Sequence, residues 1–364
     1  MLIRTMKAIV EIKKDNYQLI AKAINGGNFA DANEFLNYLI ELYDKDSNSF
    51  SDQNDIPGIN DLISKHNNNK EIDYRGHFTK SAINKSNLEK IIPKIPNNYN
   101  LQKIWDSQSI LSGQVNRYFA IKSALSIAAR SIITNGSDGF IQHDNYLNIA
   151  KPLILDLISE IQDIDLVEKT KYSIGFPRIN RSYLGYKTQI DPIQLFINKY
   201  FWTIRRVDKQ VGGSLAKLNF INVYKDQDQY KICLTKEGLD FLKISNPIHQ
   251  YIDLKKDYPH TFMDHGSISG LEVKFLIKHI KKILPNEYKA MTHILKSIND
   301  GNNNPEKLSK SLMDNSLFGS KKKIIELNRN GLLARLVEIR LVEKEKINKT
   351  KVKYLLTDSG VKLL

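Results

Sequence analysis

From residue 101 onward, apolar positions recur with helical spacing, interrupted by short stretches of strand-like alternation. Residues 118–133 carry Ile121, Leu125, Ile127, Ala128 and Ile132 on one wide apolar face and predict a strong helix, which Gly136 to Gly139 break. Phe140-Ile141 predicts a short strand. His143 or Asp144 then opens a helix running to residue 164, with Pro152 kinking or restarting it. Asp191-Pro192 forms an N-cap and N1 pair for a helix over 193–207. Strands follow at 221–224 and 230–234 around the turn 226–229, and Thr235-Lys236-Glu237-Gly238 starts another helix. Further along, a basic amphipathic helix is predicted over 272–284, then helices over 287–298, 305–313 and 320–330. A hydrophobic segment at 332–341 leads to a charged strand from Val342, a turn at Asn348-Lys349-Thr350 and a returning strand at 352–356. Thr357-Asp358-Ser359-Gly360 opens a short final helix.

The first 45 residues form a pattern of their own. Residues 7–12 alternate as a strand, and Asp15 caps a helix carrying Tyr17, Leu19, Ile20, Ala23 and Ile24. Gly26-Gly27 stop that helix, and Phe35, Leu36, Leu39, Ile40 and Leu42 mark a second. The segment GGNFADANEFLNYLIELY resembles the ribbon-helix-helix module of ParD- and CopG-type antitoxins and repressors, with their glycine turn and aromatic before the second helix. The resemblance implies a two-chain antiparallel ribbon presenting Thr5, Lys7, Ile9 and Glu11 to DNA, and a phosphate nest near Ala30 to Ala32. Asn37 stands where that family commonly has arginine, and residues 1–50 hold 6 basic against 7 acidic side chains. Dimerisation is therefore the first expectation for this module and base reading the second. A lone strand leaves its backbone groups unpaired, so a homodimer through this strand is expected. Residues 46–104 are expected to be a polar linker, poor in apolar residues and holding Asn67-Asn68-Asn69, Pro57-Gly58, Pro93 and Pro96.

Charge adds a direction. The chain has 54 Lys and Arg against 40 Asp and Glu, a formal +14, with a pI near 9.4. Residues 1–165 hold 18 basic and 20 acidic side chains, residues 166–245 hold 14 and 7, and residues 246–364 hold 22 and 13. Lysine, isoleucine and asparagine are abundant, as AT-rich coding would give, but that does not segregate the lysines. Concentrated positive charge on the C-terminal part predicts a polyanion partner and salt-sensitive binding.

Two wings sharpen that expectation. YKICLTKEGLDFL and VKYLLTDSGVKLL share Leu-Thr-x-x-Gly, and each follows a strand-turn-strand. The order helix, strand, turn, strand and Leu-Thr-x-x-Gly resembles the recognition helix and wing of winged-helix transcription factors. The run Gly331-Leu332-Leu333-Ala334-Arg335-Leu336-Val337-Glu338-Ile339-Arg340-Leu341-Val342-Glu343 resembles the end of archaeal winged-helix proteins. The expected fold is mostly α with small β wings: a ribbon-helix-helix module at 1–45 and winged-helix domains at 105–248 and 270–364, joined by a linker at 249–269. In such folds one helix enters the major groove and the wing touches phosphates. With Ile324 and Leu327 inward, helix 320–330 would direct Lys321, Lys322, Asn328 and Arg329 outward. Lys321, Lys322 and Lys323 would then meet phosphates while Asn328 and Arg329 read bases. The wing would supply Lys344, Lys346, Lys349 and Lys351, and Arg335 with Arg340 would tie helix to wing. In the first domain Lys199, Arg205, Arg206 and Lys209 follow helical spacing, interleaved with Tyr200, Phe201 and Trp202 as core aromatics.

Other chemistry is thinly represented. Asp264 with Glu272-Val273-Lys274 has the letters of a metal-dependent nuclease site, flanked by His260 and His265, but Glu272 and Lys274 lie in a helical pattern. No third ligand has zinc spacing, and Gly212-Gly213-Ser214 is not a phosphate-binding loop. Cys233 is expected to be a buried hydrophobe. No apolar run of membrane-spanning length and no apolar leader are found, so a cytoplasmic, nucleoid-associated protein is expected. The expected function is a dimeric, non-enzymatic, double-stranded-DNA-binding regulator or nucleoid or plasmid factor needing no cofactor or metal. The alternatives are a winged-helix scaffold subunit of a replication, partition or defence assembly, and, third, a nuclease.

Overall fold

The computed structural model describes residues 91–177, 191–254, 266–348 and 351–364. The ribbon-helix-helix segment with Lys7, residues 46–90 of the expected linker, and Lys349 lie outside the described residues. Helix predominates, with small antiparallel sheets.

In the first half, strand β1 (Asn100–Leu101) precedes α1 (Tyr118–Asn135). Helix α1 is buried along most of its length, and its polar residues Lys122, Ser123, Ser126, Arg130 and Ser131 are buried with its apolar face. Strand β2 (Ile141–Gln142) leads into α2 (His143–Glu168), which runs unbroken past Pro152. The cap reading at Asp191 holds: its side chain accepts from Ile193 N, and Pro192 opens α3 (Pro192–Tyr200). That helix ends seven residues before the expected Val207. Phe201 and Trp202 are both essentially fully buried, and the chain leaves helical geometry at Phe201 to form a hairpin of β3 (Thr203–Ile204) and β4 (Val211–Gly212). After the turn of helix α4 (Ser214–Lys217) come β5 (Ile221–Asp226) and β6 (Gln229–Leu234). The sheet order is β1-β5-β6-β2, all antiparallel, with Ile221 opposite Leu234 and Val223 opposite Ile232. Thr235 caps α5 (Lys236–Lys243) through Gly238 N, 3.0 Å away. Helix α6 (Pro247–Leu254) then occupies the start of the expected 249–269 linker.

The second half opens with α7 (Gly270–Ile283), started by a reciprocal capping box of Ser269 and Glu272. Next come α8 (Pro285–Asn299), α9 (Pro305–Ser311) and a 3-10 turn at Ser316–Phe318. Helix α10 (Lys322–Glu338) absorbs both the expected helix 320–330 and most of the hydrophobic segment after it. A ribbon of β7 (Val342–Lys346) and β8 (Val352–Leu356) follows, and Thr357 caps α11 (Asp358–Lys362).

All described residues belong to one compact unit, and one hydrophobic core runs through both halves, from Ile91 to Tyr354. Stacked rings join the halves: Phe220 on Phe241 at 5.2 Å, Phe241 on Phe275 at 5.0 Å and Phe220 on His279 at 4.8 Å. Beside them Lys122 of α1 pairs with Glu272 of α7 at 3.4 Å and donates to Ile244 O at 2.7 Å. Burial lowers this lysine to a pKa of about 8, against the pull of Glu272.

A clamp on the other side involves the Gly331 to Glu338 motif. Gly331, Arg335 and Glu338 share one face of α10 at helical spacing. The loop at Gly113 crosses there so closely that a Cβ on Gly331 would lie 2.4 Å from Gly113 O. Arg335, fully buried, pairs with the equally buried Glu287 of α8 at 2.8 Å and donates to Val115 O. Glu287 also accepts from Leu111 N at 2.9 Å. Glu338 accepts from Tyr118 N, from Phe119 N at 3.3 Å and from Ser267 Oγ at 2.9 Å. It thereby caps α1, whose own N-cap residue Arg117 makes no side-chain cap.

Candidate nucleic-acid interface

Lys321, Lys322 and Lys323 are exposed at the start of α10, and no acidic residue stands in that helix's first turn. The N-terminal end of a helix is the positive end of its dipole, where cations cost about 0.3–1 kcal/mol each unless an anion lies near. None of the three forms an ion pair among the described residues.

The helical phase of α10 is the reverse of the expected one. Ile324 and Leu327 are 43% and 41% exposed, while Ile325, Leu332 and Leu336 are buried. Arg329 falls on their side, 7% exposed, and donates to Pro305 O and Ser309 Oγ of α9 and to Asn330 Oδ1 at 2.8 Å. Burial lowers its pKa. It braces α10 against α9 and is not a base reader. Asn328 is half-buried and its amide is committed: Oδ1 accepts from Gly113 N at 3.0 Å and Nδ2 donates to Phe318 O at 3.1 Å. From Leu327 onward the face opposite the local core is crossed by the Gly113 loop. Only the first two turns of α10 remain open.

The β7–β8 ribbon presents Lys344, Lys346 and Lys351 exposed. Lys344 pairs across with Tyr354 and Lys346 with Val352, whereas Glu343 and Glu345 sit opposite Leu355 and Lys353. Directly opposed residues share a face, so Lys344 and Lys346 lie on one side of the ribbon and the two glutamates on the other. Arg335 does not tie helix to wing; it belongs to the clamp described above. The Arg340 carbonyl accepts from Oγ1 of Thr357, the residue after the ribbon, at 2.6 Å.

In the first half, Lys199 lies in α3, but Arg205, Arg206 and Lys209 sit on the β3–β4 hairpin and have no helical spacing. Arg206 and Lys209 are exposed with Val207 at its tip. Arg205 stacks over the Trp105 ring at 4.2 Å and pairs with Asp208 at 3.3 Å. The β5–β6 tip is neutralised internally by Lys231 on Asp226 at 2.7 Å and Lys225 on Asp228 at 3.8 Å. Trp105 and Lys217, which also converge here, carry no sequence motif. Their one sequence signal is a tryptophan isolated in a polar stretch.

Of the nuclease-like letters, Glu272 is fully buried in the α7 capping box and held by Lys122 and Asn246, while Asp264, His260 and His265 lie outside the described residues. Cys233 is buried, which pushes its thiol up to about 12. Among the described residues no group of three or more metal-ligating side chains converges, and no helix is long and apolar enough to cross a membrane. Comparison with family models, with curated proteins and with solved structures finds no match.

Proposed function

We propose that this chain binds double-stranded DNA through phosphate contacts, as a regulator or as a nucleoid- or plasmid-associated factor. The observation that carries the reading is the unpaired Lys321–Lys322–Lys323 cluster at the dipole-positive start of α10, with the lysine face of the β7–β8 ribbon following that helix in sequence. The order α8, α9, α10, β7, β8 resembles that of a winged helix, which favours the reading. In the first half, helices likewise accompany the four-stranded β1-β5-β6-β2 sheet. Because Arg329 and Asn328 are occupied, contacts to the sugar-phosphate backbone outweigh base reading in this proposal. A salt titration of duplex binding by gel shift tests it. Each lysine removed lowers the log–log salt slope by about one unit and weakens specific and random duplexes alike. Unchanged binding by a folded Lys321→Ala, Lys322→Ala, Lys323→Ala variant would sink it.

The dimer belongs to the same proposal. The N-terminal ribbon-helix-helix pattern pairs two chains and so doubles the number of phosphates engaged. Light scattering of the full chain should give a dimer mass at tens of micromolar, and a monomer mass there removes the ribbon-helix-helix reading.

A protein-scaffold reading draws on one feature, the exposed Ile324 and Leu327 beside the lysines. It predicts duplex binding no stronger than that of an unrelated basic protein of equal charge.

A further inference from the structure

At the base of the β3–β4 hairpin is a half-open cavity of about 380 Å³ lined by the 105–115 loop, α3, the hairpin and α4. Its size falls in the range of small-ligand sites, roughly 300–1,000 Å³. Its walls divide by chemistry. Trp105 and Leu111 give an apolar side, Lys199, Arg205 and Lys217 give three cations, and Asn198 gives an amide. No carboxylate among the described residues lines it.

Lys217 is the informative member. Its ammonium is half-buried and donates to two neutral oxygens, Ser109 Oγ and Ile110 O, the latter at 2.9 Å. No carboxylate among the described residues lies within ion-pair distance of it. Taking a cation from water is expensive, and burial lowers the pKa of this one against the longer-range pull of Asp106 and Glu287. Lys199 is likewise without an ion pair there, and Arg205 has one carboxylate, Asp208, which does not line the cavity. An anion entering the cavity would add to that compensation and meet Lys199, which has no ion pair among the described residues. Trp105, 47% exposed although its ring is braced by Arg205, offers apolar aromatic surface that a phosphate alone would leave unused.

We propose that this cavity binds a nucleotide, with its phosphate held by Lys199 and Lys217 and its base against Trp105. Aromatic side chains accept bases of any identity, and lysines accept phosphate without fixed geometry, so the pairing selects nucleotides as a class. The nucleotide is either a free mononucleotide or a nucleotide of an unpaired strand. The proposal stands on its own residues and does not rest on the duplex-binding lysines of α10.

The chain provides its own probe. It has two tryptophans, and Trp202 is 1% exposed, so a soluble ligand can quench only Trp105 by contact. The full chain is titrated with thymidine and adenosine monophosphates, the unphosphorylated nucleosides, inorganic phosphate and a ten-residue oligothymidylate. Saturable quenching is expected with mononucleotide, oligonucleotide or both. It should weaken at least about tenfold without the phosphate and be competed by inorganic phosphate. Quenching by mononucleotide assigns the free ligand, and quenching by the oligonucleotide alone assigns an unpaired strand. Lys199→Ala should weaken it about tenfold or more, and Lys217→Gln likewise. Lys199→Ala keeps the test decisive should the Lys217 variant fail to fold. Absence of saturable quenching up to ~5 mM overturns the proposal, as does quenching that Lys199→Ala leaves unchanged. The α10 triple-lysine variant should retain full quenching, so unchanged duplex binding by that variant, with quenching intact, strikes the duplex reading alone.

Discussion

His249 shows how a single buried side chain ties the fold to pH. It is 6% exposed, its Nε2 lies 2.9 Å from Ser123 Oγ, and its ring is 5.4 Å from that of Phe119. Burial first, then the charges of Arg130 and Lys122, hold its pKa well below the usual 6.5. The folded chain therefore keeps this imidazole neutral while the unfolded chain takes up a proton below about pH 6.5. More protons on the unfolded state mean that stability falls as pH falls from 6.5 toward the depressed folded pKa. The contribution is at most ~1.4 kcal/mol per pH unit for one proton. His143 and His279 are depressed in the same direction by burial, whereas burial raises Asp253 and Glu338, which act oppositely at lower pH. Comparing wild type with His249→Gln isolates the one group. Urea midpoints at pH 7.5, 6.5 and 5.5 should fall less steeply in the variant, and parallel slopes would show that His249 does not carry the linkage.

At the scale of elements, what the sequence disclosed depended on how much chain each signal spans. Helix α1 was legible because its apolar face repeats over four turns, and α3 began where Asp191-Pro192 said it would. Both β hairpins with the Leu-Thr-x-x-Gly caps were legible because turn chemistry and cap lie within a few residues. The end of α3 was not, since Phe201 and Trp202 continue the apolar spacing but are buried by a change of backbone direction. The phase of α10 was lost for a related reason. Ending the helix at Asn330 left Ile324 and Leu327 as good an inward pair as Ile325. Carried to Glu338, the helix gains Leu332, Leu333 and Leu336, and these fix the core side with Arg329 on it. Gly331 carries no local signal of its role. A mid-helix glycine costs roughly 1 kcal/mol relative to alanine, and here it admits the backbone of Gly113. A contact made 218 residues away in sequence leaves no local trace. The lysines of the candidate interface were legible because exposure of a lysine is the default. The cavity at Trp105 was not, because four separate segments assemble it.

For the whole described unit, the consequence is that its two halves are bound together by buried charge. The fully buried pair of Arg335 and Glu287 also holds Leu111 N and Val115 O, so it joins α8 and α10 to the loop that leads into α1. Such a pair need not exceed the stability of a hydrophobic replacement, but removing one partner strands the other. Arg335→Met should therefore cost about 3–5 kcal/mol, and Glu287→Met a similar amount. The double variant should be less destabilised than the sum of the two by about 1–3 kcal/mol, the coupling of contacting residues. Urea unfolding followed by circular dichroism and by Trp105 and Trp202 fluorescence gives each value, with the two tryptophans reporting the first half. Because the stacked rings of Phe220, Phe241, Phe275 and His279 and the Glu338 cap bridge the same halves, wild type should unfold in one transition by both probes. Additive single-variant costs would show that the pair is not coupled. Separated transitions in the wild type would mean that the halves fold independently and that α10 could be freed from the Gly113 loop. In that state its covered face would become open to a DNA groove. A single transition instead confines duplex contact to the first turns of α10 and to the ribbon, where the lysines stand.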